Sequence, residues 1–509
     1  MTKLTTLLSI LASTLVLPAC SPGQISNPDA GADEDAGGDY GSDPGADPGA
    51  DPGGDPGADP GADPGADPGG DPGGDPGADQ GPQECGALVT FATGLEPENE
   101  IHVADNGDDD NGDGSTQNPY ASVVRAVQDA SPGSAVRIHA GTYPGGTYIG
   151  DLSGEPGRPI WIGGAPGEGR PVFDGGNQAM HLSRVRYLVL HDIEARNTSQ
   201  NGINTDDGGE LADPDATRFV LFENLYIHDV GGSGNQDCLK LSGLDDYFVI
   251  DSHFARCGGG LSGSGIDHVG CHHGLIARCL FEQTSGNGVQ CKGGSTDIEI
   301  RWSHFEEAGA RSVNMGGSTG FQFFRPPLST SQSNAEARDI RVLTNVFIGS
   351  TTPLGFVGCV DCLAANNTIV NPDTWLLRIL QETTSEGDYE FLPVSNCTFQ
   401  NNLVYFSRSQ ISTYVNIGPD TAPETFVFRT NLWYAHDEPG QSQPDLPVSE
   451  QNGVYGLDPG LQDVASGDLH IDPDGPAAAA GAAIQAVTGD MEGNCYADPP
   501  AIGAYAAGD

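Results

Sequence analysis

Lys240, Asp237, Asp267, Arg311, Lys292 and His268 are the residues in this chain best suited to do chemistry on a substrate. A lysine or arginine beside carboxylates removes a proton or stabilises a developing negative charge. Asp237, with Asp206 and Asn201 from the preceding repeat, offers the oxygens that a hard cation such as calcium needs. These residues recur in rows, so the elements that repeat them come next.

The stretch from Gln236 to Ser318 is one phrase written four times. Each copy has an apolar/polar alternation, a Gly/Ser-rich turn and a second alternation. The central apolar residues Leu239, Ile266, Val289 and Val313 are 27, 23 and 24 residues apart. Repeats of this length built from short strands predict a β-solenoid. If Ile203, Leu239, Ile266, Val289 and Val313 point inward, the next residues point outward: Asn204, Lys240, Asp267, Gln290 and Asn314. Two residues before the inward column stand Asn201, Asp237, Ser264, Asn287 and Arg311, and further along stand Asp206, Ser242 and Lys292. The turns beside them are expected to add His268, His272 and His273. Such a face suits an extended polysaccharide.

A second ladder runs through Asn224, Ser252, Cys279, Ser303, Asn345, Asn367, Asn402 and Asn431. Two residues after each comes an apolar or aromatic residue, from Tyr226 and Phe254 to Trp433, expected to stack inside. Stacked Asn side chains satisfy backbone groups one rung away. The 42-residue step from Ser303 to Asn345 signals an inserted loop, FQFFRPPLSTSQSNAEA, of a length that is often functional.

Upstream, Ile101 and Val103 predict a strand, and Val123, Val124, Val127 and Ala130 predict a short amphipathic helix stopped at Ser131-Pro132-Gly133. Val136 to His139 predicts another strand. The helix is a natural cap for the open end of a solenoid. Asp109-x-Asn111-x-Asp113-Gly114 matches the front of a calcium loop, but Tyr120 stands where the bidentate Glu belongs, so a polar turn is expected.

This opening, the repeats and the close (GLDPGLQDVASGDLHIDPDGPAAAAGAAI, then AIGAYA) resemble the pectate-lyase-like right-handed parallel β-helix proteins over about residues 98–506. The resemblance implies an all-β fold with a short N-terminal capping helix. It leaves activity open, because one fold hosts lyases, hydrolases, epimerases and non-enzymes. The lyases of that superfamily abstract the proton α to a uronate carboxylate. By that resemblance Lys240 is the base, Arg311 or Lys292 stabilises the charge, and Asp237, Asp206 and Asn201 hold calcium. A glycoside hydrolase is the alternative: NQDCLKLSG, from Asn235, resembles the paired-Asp strand of polygalacturonases, and Asn204-Thr205-Asp206 their NTD. Gln236 replaces the first of the paired Asp, however, and Asp206 and Asp237 are out of register. Gly316-Gly317-Ser318-Thr319-Gly320 fits G-x-S-x-G, which requires a strand-to-helix elbow; the same words at Gly293-Gly294-Ser295-Thr296 mark a turn.

The rival to an enzyme is a non-catalytic glycan-binding or adhesive surface protein. An enzyme converges Lys240, Asp237 and a third charged group in a concave groove. A binder presents a flatter strip with exposed Phe321, Phe323, Phe324 and Tyr247.

The chain has 509 residues and a formal net charge of −50. That excludes nucleic acid as a partner, and it repels dense polyanions unless local cations intervene. Residues 1–19 read as a signal peptide, with Leu17-Pro18-Ala19-Cys20 resembling a bacterial lipoprotein signal in which Cys20 is lipidated. The lipid tethers without spanning, so export to the outer membrane or cell surface is expected, as a monomer. Residues 20–82 read as a disordered acidic linker, with Asp-Pro-Gly-Ala/Gly repeated nine times from Asp43. Residues 83–509 are the β-helix domain. Ten cysteines follow Cys20, an even number that suggests disulfides. Cys238, Cys257, Cys271, Cys279 and Cys291 cluster, with Cys279 and Cys291 at inward positions. Cys359 and Cys362 are spaced to bridge locally, and Cys271, His272 and His273 are a weak zinc set.

Overall fold

In the computed structural model, the structure describes residues 85–508 apart from Ser233 and Leu261. The signal peptide, Cys20 and the linker therefore lie outside the described residues. Three parallel sheets of thirteen, ten and twelve strands wind around one core among the described residues. Short apolar alternations bounded by Gly, Asn and Asp turns build each coil, and each strand hydrogen-bonds to its counterpart one rung away.

The inward column is as the alternation requires. Ile203 pairs with Leu239, Leu239 with Ile266, Ile266 with Val289 and Val289 with Val313, all fully buried. The aromatic stack is also present. Phe254, Phe281, Phe305 and Phe347 follow one another with ring centroids 5.1, 4.6 and 4.8 Å apart. These separations track the strand spacing of about 4.8 Å, so identical residues on successive rungs meet face to face.

The asparagine ladder runs where three or more Asn follow one another. Asn345, Asn367 and Asn402 each accept the backbone N–H of the rung before, at 2.9, 2.9 and 3.0 Å. Asn431 accepts from Asn402 at 2.8 Å, and Glu450 closes the run on the Asn431 N–H at 3.0 Å. The upstream end departs from the expected ladder by one residue. Leu225, not Asn224, occupies the ladder position and donates to Ser252 Oγ, and Ile227, not Tyr226, pairs with Phe254. Asn224 is instead a left-handed turn residue (φ 53°).

The helix spans Val123–Val127, capped by Ser122, whose side chain accepts the Arg125 N–H. Its core-facing stripe is Val123 and Ala126, which are buried, with Val127 and Ala130 half-buried beside them; Val124 is exposed. Residue size favours Val124 over Ala126 for the buried stripe, but only position 126 keeps the i, i+3, i+4, i+7 spacing. The Asp-rich turn before it is self-contained. Asp108 accepts the backbone N–H groups of Asp110 and Asn111, Asp113 that of Ser115, and Asp109 those of Ala121 and Ser122.

The N-terminal end of the described chain and the segment around Met491, near its C-terminal end, lie on the outer face of the thirteen-stranded sheet. Leu88, Phe91, Ala92, Leu95 and Met491 cover an apolar stripe that includes Trp161, Val189, Leu221, Ile250 and Trp302. A disulfide from Cys85 to Cys495 joins the two ends across 410 residues. Cys85→Ser is expected to lower stability by about 2–5 kcal/mol, read as a lower denaturant midpoint under oxidising conditions. The second disulfide joins Cys238 to Cys257. Cys279 and Cys291 are buried thiols, as their inward positions require. Cys359 does not bridge to Cys362; its sulfur lies 3.8 Å from that of Cys397.

Candidate functional site

The ten-stranded sheet carries the outward rows. Tyr148, His181, Asn204, Lys240, Asp267, Gln290 and Asn314 occupy equivalent positions on successive strands. A parallel column holds Ser183, Asp206, Ser242, Val269 and Lys292. A cleft of about 1090 Å³ opens over the first four strands. Its floor carries His181, Asn204, Asp206 and Lys240; Gln200, Asn201 and residues 234–237 form one side and residues 207–209 the other.

Lys240 is the cation on this floor. Its ammonium contacts the Asp267 carboxylate and lies 3.6 Å from Asp237 Oδ2. The three groups converge as the sequence pattern requires, and the register explains why: Lys240 and Asp267 are direct neighbours on paired strands, while Asp237 precedes Lys240 by three residues. Both carboxylates are buried. Asp237 Oδ1 accepts the Ser264 N–H at 2.7 Å, whereas Oδ2 has no hydrogen-bond donor among the described residues. Burial, reinforced by the Asp267 charge, pushes the Asp237 carboxyl up to about 7. Burial would raise Asp267 too, but the ammonium groups of Lys240 and Lys292 outweigh it and hold Asp267 below the usual value.

The Asp237 shift makes stability depend on pH. Its carboxyl is raised from 3.8 to about 7, so between those limits the folded chain keeps a proton that the unfolded chain releases. Stability is greatest below the unfolded value, falls as pH rises through the window and levels off above it. Asp237→Asn is expected to remove this slope, as seen in denaturant midpoints measured at the two ends of the window.

The remaining candidates do not reach the cleft. Lys292 is wholly buried 3.7 Å from Asp267, under the inserted loop. Arg311 pairs with Glu382 at 2.6 Å and is outside the cleft lining. His268 lies in the strand Ser264–Val269, not in a turn, and faces the core. The register places it in the inward column one step beyond Ile266. Its Nδ1 bonds the Gln290 carbonyl at 2.8 Å, and burial lowers its pKa to about 4.

Calcium does not fit the residues named for it. Asp206 Oδ2 accepts from His181 Nε2 (2.6 Å) and Asn204 Nδ2 (3.0 Å), and Oδ1 from Ser183 Oγ (2.7 Å) and the Gly208 N–H (2.9 Å). Asn201 Oδ1 accepts the Asp237 N–H at 2.8 Å. Donors already engage the Asp206 and Asn201 oxygens, and the Lys240 ammonium supplies the positive charge beside Asp237. Among the described residues, the one set of three Cys, His or carboxylate groups with ligand atoms within 4.8 Å is Cys359, Cys362 and Cys397, buried in the core. Cys271, His272 and His273 do not converge.

The other two chemistries also lose their geometry. Asp206 pairs with Ser242, so it is out of register with Asp237, which is itself buried. Ser318 follows the strand Arg311–Gly316 and leads into a short 3₁₀ turn at Phe321–Phe323, not into a helix.

The inserted loop forms the end wall of the cleft through Phe323 and Arg325. Arg325 reaches back to Asp207, with Nε to Oδ2 at 2.5 Å and Nη2 to Oδ1 at 3.1 Å. It runs over Gly270 (φ 61°), where a Cβ would come within 2.3 Å of the Arg325 Cβ. The fully buried Glu336 ties down the loop's far end. It accepts from the Gly293 N–H at 2.8 Å, from the Thr319 N–H and hydroxyl at 2.9 and 2.8 Å, and from the Thr383 hydroxyl. The expected strip of exposed aromatics is not formed: Tyr247 and Phe324 are buried.

Sequence reasoning missed His181, Tyr148, Asp207 and Glu336, and it marked Arg325 only as a residue of the inserted loop. One more 23-residue step back from Ile203 reaches Met180 and places His181 in the column, so that signal was available. Asp207 and Arg325 are 118 residues apart with no pattern linking them.

No family model and no curated protein matches the chain. Among solved structures it is similar to pectate lyase Pel9A, at 15% identity and a TM-score of 0.55, covering 82% of this chain and 98% of that one. It is also similar to an alginate lyase from Paenibacillus sp. str. FPU-7, at 13% identity and a TM-score of 0.42, covering 63% and 97%. With XylC in complex with xylose the values are 10%, 0.49, 80% and 98%. The stacked parallel sheets, the capping helix and the match over nearly all of Pel9A give the conclusion that this chain has the pectate-lyase-like right-handed parallel β-helix fold.

Proposed function

We propose that the protein acts on a uronic-acid-containing polysaccharide by β-elimination, with Lys240 as the group that meets the reacting sugar. The observation that carries this reading is the convergence of Lys240, Asp237 and Asp267 at the floor of a concave cleft. The fold shared with pectate lyase Pel9A supports the substrate class.

Asp237 prepares Lys240. A carboxyl raised to about 7 accepts the proton of a neighbouring ammonium at lower cost than an ordinary aspartate does. The freed amine takes the proton α to the uronate carboxylate. The electron pair left behind forms the carbon–carbon double bond, the bond to the β-oxygen breaks, and solvent in the open cleft protonates the departing oxygen. Asp237 accepts a proton only when ionised, so the rate is expected to rise as pH passes through about 7, and Asp237→Asn to flatten that profile. The chain's negative charge works against densely charged polymers, so weakly charged glycans are the better substrates.

The test is ultraviolet absorbance of the unsaturated product, using the purified chain and a panel of uronic-acid polymers. A rise is expected on at least one polymer, unchanged by a chelator because no calcium cage is formed by Asp237, Asp206 and Asn201. Absence of product and of new reducing ends on every polymer contradicts the reading. With this activity we propose export and a lipid tether at Cys20, which puts the cleft outside the cell. Mass spectrometry of the mature N-terminus tests that placement, and an unmodified Cys20 rejects it.

A further inference from the structure

Exposure along the outward column falls from one end to the other. Tyr148 is 51% exposed; the side chain of His181 is 20% exposed and that of Lys240 13%. Beyond Lys240, Asp267 is 1% exposed, Gln290 5% and Asn314 not at all. The same strand face is thus open over its first four strands and roofed over the next three.

Two loops make the roof. Residues 317–336 fold back over the sheet and are pinned by Arg325 to Asp207 and by Glu336 to Gly293, Thr319 and Thr383. Residues 381–394 lie against them. Phe321 stacks on Phe391 at 5.5 Å and meets Tyr389 edge-on at 5.6 Å, and the Asn334 N–H donates to the Glu390 carbonyl at 2.7 Å. The buried Arg325–Asp207 ion pair, the hydrogen bonds to Glu336 and the shared aromatic cluster make this a fixed part of the fold.

The trough beneath runs along the stack of strands for three strand spacings, about 14 Å. Its open mouth carries Tyr148, an exposed ring suited to stack on a sugar. Its far end stops at Val269, Phe323 and Arg325, directly beyond Lys240. A polymer lying in this trough therefore has no exit past Lys240.

We infer that the site takes the reducing end of a glycan chain, not its interior, with the terminal sugar, whose β-oxygen carries the rest of the chain, at Lys240 and the remaining sugars running out past His181 to Tyr148. This rests on the glycan-acting reading of the cleft and adds the mode of attack. The roof beyond Asp267 is the specificity determinant, and Tyr148 is a positioning residue for a sugar remote from the reacting one.

The experiment uses the intact chain with a uronic-acid polymer on which it is active, following solution viscosity and unsaturated product in the same sample. End-on action is expected to release short products from the start while viscosity hardly changes. An early collapse of viscosity, with long fragments appearing first, overturns the inference. Tyr148→Ala is expected to raise KM on the polymer while leaving kcat nearly unchanged; an equal loss of kcat contradicts its assignment. Phe323→Ala shortens the end wall without touching the buried Arg325–Asp207 pair, and is expected to shift products toward longer fragments. If no polymer is cleaved, the catalytic reading fails by itself, and the mode of recognition is decided by binding. Calorimetric titration with size-fractionated, largely methyl-esterified polygalacturonan, which is weakly charged, is then expected to give a protein-to-chain ratio that stays constant as chain length doubles. A ratio that doubles with length, or no binding to any fraction, overturns it.

Discussion

Lys240→Ala is expected to lower the rate of glycan cleavage by about 10²–10⁴-fold, the range lost when a positioned proton-transfer group is removed. Lys240 is the one predicted cation that the structure leaves in the cleft: Lys292 is sealed under the roof, and Arg311 is paired with Glu382 outside the cleft lining. The fold should survive, because Asp267 keeps a second ammonium, that of Lys292, at 3.7 Å. The comparison that isolates the effect is Arg311→Ala, expected to retain near wild-type activity. Kinetics on purified variants with matching circular dichroism separate a lost group from a lost fold.

Asp267→Ala is expected to act on stability instead, by about 3–5 kcal/mol, the cost of breaking a buried pair from one side. Asp267 sits between Lys240 and Lys292 with hardly any exposed surface, so its removal leaves two buried or half-buried ammonium groups facing each other. Part of the loss is recovered by Asp237. Its carboxyl is raised first by burial and then by the Asp267 charge, so without Asp267 it ionises more readily and pairs with Lys240. The lower end of the range is therefore expected near neutral pH and the upper end in acid. Thermal and denaturant midpoints at the two pH values check both the size and this trend.

The solenoid is legible in the sequence because its signal is repeated. A residue misplaced in one copy is corrected by the next, as with Leu239, Ile266, Val289 and Val313, which are all inward and paired. Where the repeat thins, the register is harder to place. Asn224 and Tyr226 each stand one residue from the true ladder positions, because that single rung upstream of the Phe stack has only Ser252 and Phe254 to fix it. His268 shows the same limit in another form. From the sequence it reads as a turn residue beside the face, but it continues the strand and alternation sends it to the core, where its Nδ1 bonds a backbone carbonyl.

The cleft is half legible. Strand register brings Asn204, Lys240 and Asp267 into one row, and register follows from the apolar pattern. What encloses the row does not repeat. The insertion after Gly316 is visible as a long step, but its course back to Asp207 and its packing against residues 381–394 depend on contacts between distant, unpatterned residues. The roof that buries Lys292 and defines the closed end therefore has no sequence signature, and the pattern alone leaves Lys292 on the open face.

The measurement that tests the central claim most directly is unsaturated-product formation by wild type, Lys240→Ala and Arg311→Ala, side by side on the most active polymer and across neutral pH. The account predicts product from wild type and Arg311→Ala, rising in rate as pH passes through about 7, and almost none from Lys240→Ala. Product from Lys240→Ala at the wild-type rate would contradict it, because the cation at the floor of the cleft would then have no part in the reaction.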